Sequence, residues 1–157
     1  MKNLIMIALL FPVFATAWTR FVDNDKMSDQ KYVQFSQASE QPVFGKKTAM
    51  LSVMINCKTE EKKLLLVHPW VLGKRPVKLR LDKEESFALY ANTGNTAKIL
   101  IIGDPTSQDP TRNPEGTIQR MTKHKKMLVR YEEAGGKIVD AEFNIGGLEK
   151  SLKNPCK

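Results

Sequence analysis

Polar and hydrophobic residues alternate over several short stretches of the chain, which is the pattern of β-strands with one buried face. Alternate residues are apolar in LSVMINC (51–57), in VKLRLDK (77–83) and in SFALYA (86–91). Two continuous apolar runs, KLLLVHPW (63–70) and KILIIG (98–103), are typical of well-buried strands. The chain is therefore predicted to consist mainly of β-strands.

The pattern changes after the last of these runs. The segment DPTSQDPTRNPEG (104–116) contains three prolines and many small polar residues, which predicts an exposed loop. In the next segment, TIQRMTKHKK (117–126), Thr117 is a suitable N-cap, and Ile118 and Met121 form an i, i+3 apolar pair. This segment is predicted to be a short amphipathic helix whose basic residues lie on the face opposite that pair.

The last third of the chain predicts a β-hairpin. Alternating apolar residues flank the turn sequence AGG (134–136), and together they cover residues 127–145. The segment LEKSLKN (148–154) is predicted to add a helical turn. The expected fold is mostly β: an antiparallel β-sandwich or curled sheet with one short helix before a C-terminal hairpin.

The N-terminal sequence MKNLIMIALLFPVFATAW has the three parts of a secretory signal peptide. Lys2 precedes an apolar run at 4–14, which is too short to span a bilayer, and the A-x-A pattern that ends at Ala17 follows it. Cleavage after Ala17 would leave residues 18–157 as a single exported β-rich domain. The alternative is a buried N-terminal helix, which amphipathic spacing does not favour.

The charge of the chain has to be judged together with this predicted export. The net charge is +8, and it falls to +7 when Lys2 is removed with the signal peptide. A basic domain often binds nucleic acid, but an exported protein rarely meets it. We therefore predict no nucleic-acid partner. The expected partners are an envelope protein or an anionic surface of the envelope, in a periplasmic or secreted protein with no membrane span after signal removal.

The chain contains two cysteines, Cys57 and Cys156. In an oxidising compartment an even number of cysteines indicates a disulfide, and only one pairing is possible here. A loop of this size would stabilise the fold by about 4–5 kcal/mol on the loop-entropy model. The alternative is two free thiols.

The sequence offers little evidence for catalysis. The only histidines, His68 and His124, lie far apart and have no metal-ligand spacing, and there is no G-x-S-x-G or phosphate-binding glycine motif. No metal site, cofactor or catalytic residue is predicted. A hydrolase that pairs His68 with Asp82 remains a third hypothesis, and it requires the two side chains to meet in a cleft.

The candidate binding residues are charged. Arg80 and Asp82 lie two apart on the polar face of one predicted strand, where they form either a recognition pair or an ordinary surface pair worth about 0–1 kcal/mol. The remaining candidates belong to the predicted basic helix face, a contact surface or simply a solvated face. The complete set is Arg80, Asp82, Arg120, Lys123, Lys125 and Lys126.

The order of short motifs resembles that of the periplasmic accessory proteins associated with type VI secretion, the TagO or VasI type. The last third also resembles the invasion-associated locus B type of exported protein. The resemblance covers most of residues 18–156. Its most specific motifs are Met27-Ser28-Asp29, Cys57, Arg80-Leu81-Asp82, Ala141-Glu142-Phe143, Gly146-Gly147-Leu148 and Cys156.

This resemblance implies a small β-rich exported domain, and it favours the pairing of Cys57 with Cys156. It also implies a structural or recognition role for Arg80 and Asp82. The function expected from it is that of a non-enzymatic binding or accessory protein of the cell envelope. The alternative is an exported inhibitor or immunity-type protein that blocks a toxin or cell-wall enzyme, with the loop at 104–116 as the presented segment.

Overall fold

In the computed structural model of the protein, residues 18–25, 28–70, 72, 76–94 and 97–157 are described. The predicted signal peptide with its cleavage site after Ala17 therefore lies outside the described residues, as does Met27. The elements are β1 (Thr19–Asp25), β2 (Gln30–Ala38), β3 (Met50–Asn56), β4 (Lys62–Val67), β5 (Val77–Leu81), β6 (Phe87–Leu89), β7 (Ala91–Thr93), β8 (Ile99–Ile102), α1 (Pro114–Met121), β9 (Lys126–Glu132), β10 (Ile138–Asn144) and α2 (Leu148–Leu152).

These strands form two antiparallel sheets. One sheet has six strands in the order β1-β2-β3-β4-β8-β7, and the other has four in the order β10-β9-β5-β6. Apolar side chains from the two sheets and from α1 form one core. The prediction of a mostly β, sandwich-like fold with a short helix before a C-terminal hairpin is confirmed.

Alternation explains which residues of the four-stranded sheet enter this core. In β5 the residues Val77, Leu79 and Leu81 are buried while the two between them are exposed, and β9 and β10 show the same period. Fully burying a side chain of this size stabilises the fold by roughly 1.5–3 kcal/mol. The hairpin of β9 and β10 pairs Val139 with Tyr131, as the sequence pattern predicts.

Three features of the sheets differ from the sequence prediction. Strands β1 and β2 were not predicted; all seven residues of β1 are exposed, so it has no buried face to produce alternation. The stretch 86–91 is two strands, because the chain leaves the four-stranded sheet at Tyr90 and enters the six-stranded one. The continuous apolar run in β4 is fully buried only at Leu64 and Leu66.

The helix begins earlier than predicted. Asn113 is the N-cap, and its side-chain oxygen accepts a hydrogen bond from the Gly116 backbone N–H at 2.7 Å. Pro114 follows at the first helical position, where its missing N–H costs nothing. Thr117 is therefore inside the helix and not its cap, and its hydroxyl donates to the Asn113 carbonyl.

The helix also ends earlier than predicted, at Met121. Of the four basic candidates after the loop, only Arg120 belongs to α1. Lys123 and Lys125 lie in the connection to the hairpin, and Lys126 is the first residue of β9. The predicted basic helix face is therefore wrong.

A disulfide joins Cys57, directly after β3, to Cys156 near the end of the chain, with a Cα–Cα distance of 5.6 Å. This confirms the predicted pairing. Two cations hold the same segment: Lys31 Nζ donates to the Cys156 carbonyl at 2.8 Å, and Arg20 Nη2 donates to the Pro155 carbonyl at 3.1 Å. The C-terminal segment is thus attached to β1, β2 and the end of β3.

We expect the double substitution Cys57→Ser/Cys156→Ser to lower the free energy of unfolding by about 4–5 kcal/mol, because the bond closes a loop across 99 residues. Urea denaturation of the oxidised protein and the double variant measures the difference. Reduced wild-type protein is the control and should match the variant. Equal urea midpoints for oxidised wild type and variant would contradict a stabilising role.

Candidate functional site

Charged side chains cover the solvent face of the four-stranded sheet. On β5 the outward residues are Lys78 and Arg80, and antiparallel pairing places Lys78 opposite Arg130 of β9 and Arg80 opposite Leu128. Arg130 is in turn opposite Asp140 of β10. Three cations from two neighbouring strands therefore lie side by side on one face.

These residues line an open groove of about 280 Å³, which we call the cationic groove. Its charged lining consists of three cations and one carboxylate, Glu84, and Leu79 and Leu128 add apolar atoms. Its lining residues are Lys78, Leu79, Arg80, Glu84, Ser86, Leu128 and Arg130.

Arg130 already has a partner. Its Nε and Nη2 donate to the two carboxylate oxygens of Asp140 at 2.6 and 2.7 Å, a two-point geometry that only arginine can supply. This pair lowers the pKa of Asp140, mainly through the hydrogen bonds from Arg130 and further through the charges of Arg130 and Arg80. Arg130 is thus held in place as one wall of the groove.

Lys78 and Arg80 are different. Both are exposed, and within the part of the chain that the structure describes neither forms an ion pair or a side-chain hydrogen bond. Arg80 lies near the Arg130–Asp140 pair, and its charge acts on Asp140 from a distance. The groove therefore offers one guanidinium and one ammonium group to an anion from outside.

Asp82 does not pair with Arg80 as a recognition pair would. It follows β5 with a φ of 46°, and its carboxylate accepts hydrogen bonds from the backbone N–H groups of Lys126 at 2.8 Å and Lys125 at 3.2 Å. His124 Nδ1 lies 3.0 Å from the same carboxylate. These contacts lower the pKa of Asp82, the largest contribution coming from the Lys126 N–H. Asp82 therefore attaches the end of β5 to the start of β9.

The other basic candidates have separate surroundings. Arg120 Nη2 donates to Glu84 at 3.0 Å, and its guanidinium lies 4.1 Å from the centre of the Phe87 ring. Lys126 pairs with Glu142 at 2.6 Å and with Glu40 at 3.3 Å. These two residues of the predicted basic cluster are therefore paired with side chains of the sandwich itself.

Lys123 and Lys125 are exposed in the connection between α1 and β9. Among the ion pairs of the described residues, none involves either side chain. They stay candidates for contact with an anion.

His68 is buried, with its ring against the edge of the Tyr131 ring and its Nδ1 accepting a hydrogen bond from the Trp70 N–H at 3.1 Å. Burial lowers the pKa of His68. Its Nε2 lies 3.5 Å from Glu133. The histidine beside Asp82 is His124, so the hypothetical pair of His68 and Asp82 is wrong.

Two cations of the groove were missed by sequence reasoning, Lys78 and Arg130. Each lies at an outward position of a strand whose alternation was predicted, so the signal for exposure was present. The alternation does not predict that β5 pairs with β9, and it is this pairing that makes the two residues neighbours.

Within the described ranges, no three or more His, Cys, Asp and Glu side chains lie close enough to hold a metal ion. No helix of the described residues is long and apolar enough to cross a membrane. No protein-family model matches the chain, and no curated protein or solved structure is significantly similar to it.

We expect Asp82→Asn to destabilise the protein at neutral pH, because the charged carboxylate accepts the hydrogen bonds that hold β5 to β9. The folded-state pKa of Asp82 is lowered from 3.8, so its contribution is present above that value and is lost as the pH falls through the folded-state pKa. Urea midpoints from pH 7 down to pH 2 should therefore converge for wild type and variant.

The matched control is Glu85→Gln, an exposed carboxylate three residues further along the same turn. Its urea midpoint should follow that of the wild type at neutral pH. A difference between wild type and Asp82→Asn that stays constant down to pH 2 would contradict the role of the charged carboxylate.

Proposed function

We propose that this protein is a non-enzymatic, exported binding protein of the cell envelope, which holds an anionic group of its partner in the cationic groove. The observation that carries the proposal is the pair of open cations, Lys78 and Arg80, beside an Arg130 that Asp140 fixes in position. An arginine and a lysine at neighbouring positions suit a carboxylate or a phosphate, because both anions accept several hydrogen bonds at once.

The groove is built for binding in a further respect. Five of its seven lining residues stand on the paired strands β5 and β9, and only Glu84 and Ser86 come from the turn after β5, so little conformational freedom of the cations is lost when a ligand is held. Leu128 lies opposite Arg80 and supplies an apolar surface beside the charges. A ligand that combines an acidic group with an apolar portion would use both features.

The disulfide supports the assignment to an oxidising compartment. Disulfides persist in the periplasm and outside the cell, and they are rare in the cytosol of most organisms. Together with the predicted signal peptide, this supports a periplasmic or secreted location. Trp18, the first residue after the predicted cleavage site, is 7% exposed and belongs to the core.

The resemblance to the TagO or VasI type of secretion-associated accessory protein supports a binding or accessory role in the cell envelope. The β-rich sandwich and the Cys57–Cys156 disulfide agree with what that resemblance implies. Membership of that class is part of the proposal, and so is the absence of enzymatic activity.

The test is retention of the purified, oxidised protein on anionic cell-envelope fractions. We expect Lys78→Gln/Arg80→Gln to lower the affinity at least about tenfold, because hydrogen bonds to charged groups are typically worth about 1.5–3 kcal/mol each. The control is Lys123→Gln/Lys125→Gln, which removes the same charge from the exposed connection between α1 and β9.

Retention of wild type should fall as salt is raised, because exposed charges are screened. Equal losses for the groove variant and the control would indicate a general charge effect and contradict the groove. Loss in the control alone would assign binding to the connection between α1 and β9.

The alternative, an exported inhibitor or immunity-type protein, is favoured by one observation. The loop before α1 is held by its own side chains: Asp104 accepts hydrogen bonds from the Thr106 N–H and hydroxyl, and Asp109 does the same for Thr111. A Cβ at Gly116 would lie 1.8 Å from the Pro110 carbonyl oxygen, so the loop also packs tightly on the helix.

A pre-organised, exposed loop of this kind can act as an inhibitory segment. Arg112 is an exposed, long cationic side chain of this loop. The inhibitor role therefore predicts that Arg112→Ala abolishes capture of a toxin or cell-wall enzyme from envelope extract. Capture that depends on Lys78 and Arg80 and not on Arg112 would favour the binding function over the inhibitor.

A further inference from the structure

Two large aromatic rings are exposed at one end of the six-stranded sheet. Trp70 is 48% exposed and Phe44 is 36% exposed. Their rings stack at a centroid distance of 5.1 Å and an interplanar angle of 8°. Each ring therefore covers one face of the other, and both keep a substantial solvent-exposed surface.

The backbone holds both rings in place. Phe44 and Lys47 exchange two backbone hydrogen bonds across a turn at Gly45, whose φ of +57° suits glycine. Trp70 donates its backbone N–H to the ring nitrogen of His68, and the His68 N–H donates to the Lys98 carbonyl at 2.8 Å. Two separate turns and the end of β4 thus meet at this position.

The chain segments that carry and adjoin the rings are basic. Lys46, Lys47 and Lys98 are all exposed, and the segments 41–48, 68–70 and 97–98 contain no Asp or Glu. Among the residues that the structure describes, none pairs with any of the three lysines as a salt bridge. We call Phe44, Trp70, Lys46, Lys47 and Lys98 the aromatic tip.

We propose that the aromatic tip docks the protein on an anionic phospholipid surface. Tryptophan and phenylalanine favour the boundary between lipid headgroups and acyl chains, and uncompensated lysines are attracted to anionic headgroups. Both requirements are met here by side chains at the ends of turns, which can enter a headgroup layer. Protein hot spots, by contrast, typically lie at the centre of an interface inside a polar rim.

This inference is independent of the cationic groove. The tip lies where β8 begins, whereas the groove lies on the outer face of the other sheet. Docking at the tip would bring an exported protein to the membrane without a spanning segment, and it would leave the groove free for a partner.

The chain has only two tryptophans, so the docking can be followed by fluorescence. Trp18 is buried and Trp70 is exposed, and a blue shift on adding vesicles therefore reports Trp70. We expect such a shift with vesicles of phosphatidylethanolamine and phosphatidylglycerol, and none with phosphatidylcholine alone. Cosedimentation of the oxidised full chain with the same vesicles gives the partition coefficient.

The variant Lys46→Gln/Lys47→Gln/Lys98→Gln should lower that partition coefficient about a hundredfold, since each lysine near an anionic surface contributes about fivefold. Its control is Lys58→Gln/Lys83→Gln/Lys150→Gln, which has the same net charge and changes exposed lysines elsewhere. Phe44→Ala/Trp70→Ala should abolish cosedimentation. Its control is Tyr90→Ala, an exposed ring at the other end of β8.

The proposal is overturned if the anionic vesicles neither bind the protein nor shift its fluorescence. Equal effects of the tip variants and their controls also overturn it, because binding would then follow net charge alone. Binding that is lost in Lys78→Gln/Arg80→Gln and kept in the tip variants would assign the lipid contact to the groove, and would refute the tip while leaving the groove function intact.

Discussion

The antiparallel pairing of β5 with β9 is the contact on which the four-stranded sheet depends. It joins Val77–Leu81 to Lys126–Glu132, two segments separated by the whole of β6, β7, β8 and α1. Without this pairing the second layer of the sandwich would be two unconnected pairs of strands. Because side chains alternate along both strands, the same contact buries Leu79 beside Val129 and places Lys78 beside Arg130 outside. The same strand pairing therefore positions both the core residues and the groove cations of these strands.

Asp82 strengthens that pairing at its open end. Its carboxylate accepts the N–H groups that begin β9, and its own N–H donates to the Lys126 carbonyl at 2.9 Å. A positive φ at this residue directs the chain into the turn that follows. Aspartate is one of the few residues besides glycine that tolerate such a conformation, which accounts for its presence at the end of the strand.

The sequence pattern predicted the parts of this structure that depend on local alternation. Strand β5, the hairpin of β9 and β10, and the disulfide between the only two cysteines were all predictable. The start of α1 was misplaced because Thr117 was preferred over Asn113, although the proline after Asn113 marks a helix start. The change of sheet at Tyr90 could not be predicted from alternation, because the apolar pattern continues through it without a break. Strand β1 could not be predicted either, because it has no buried face.

The candidate site was only partly predictable for a related reason. Arg80 was recognised from its outward position, but its neighbours depend on which strands pair, and that information is not local. The high density of positive charge along the chain instead pointed to the segment from Lys123 to Lys126. Within it, Lys126 begins β9, and its charge is neutralised by Glu142 and Glu40. Proximity of carboxylates in three dimensions, and not proximity in sequence, decides which cations remain available to bind an anion.

The central claim is that Arg80 is an open anion-binding group inside the cationic groove. It can be tested most directly by NMR, following the side-chain Nε–Hε signals of the arginines while inorganic phosphate, and separately carboxylate-bearing peptidoglycan fragments, are titrated into the oxidised protein. The account predicts a saturable shift of the Arg80 signal with at least one probe, while the signal of the exposed Arg112 in the loop before α1 stays in place. No shift of Arg80 with either probe, or equal shifts of both arginines, would contradict it.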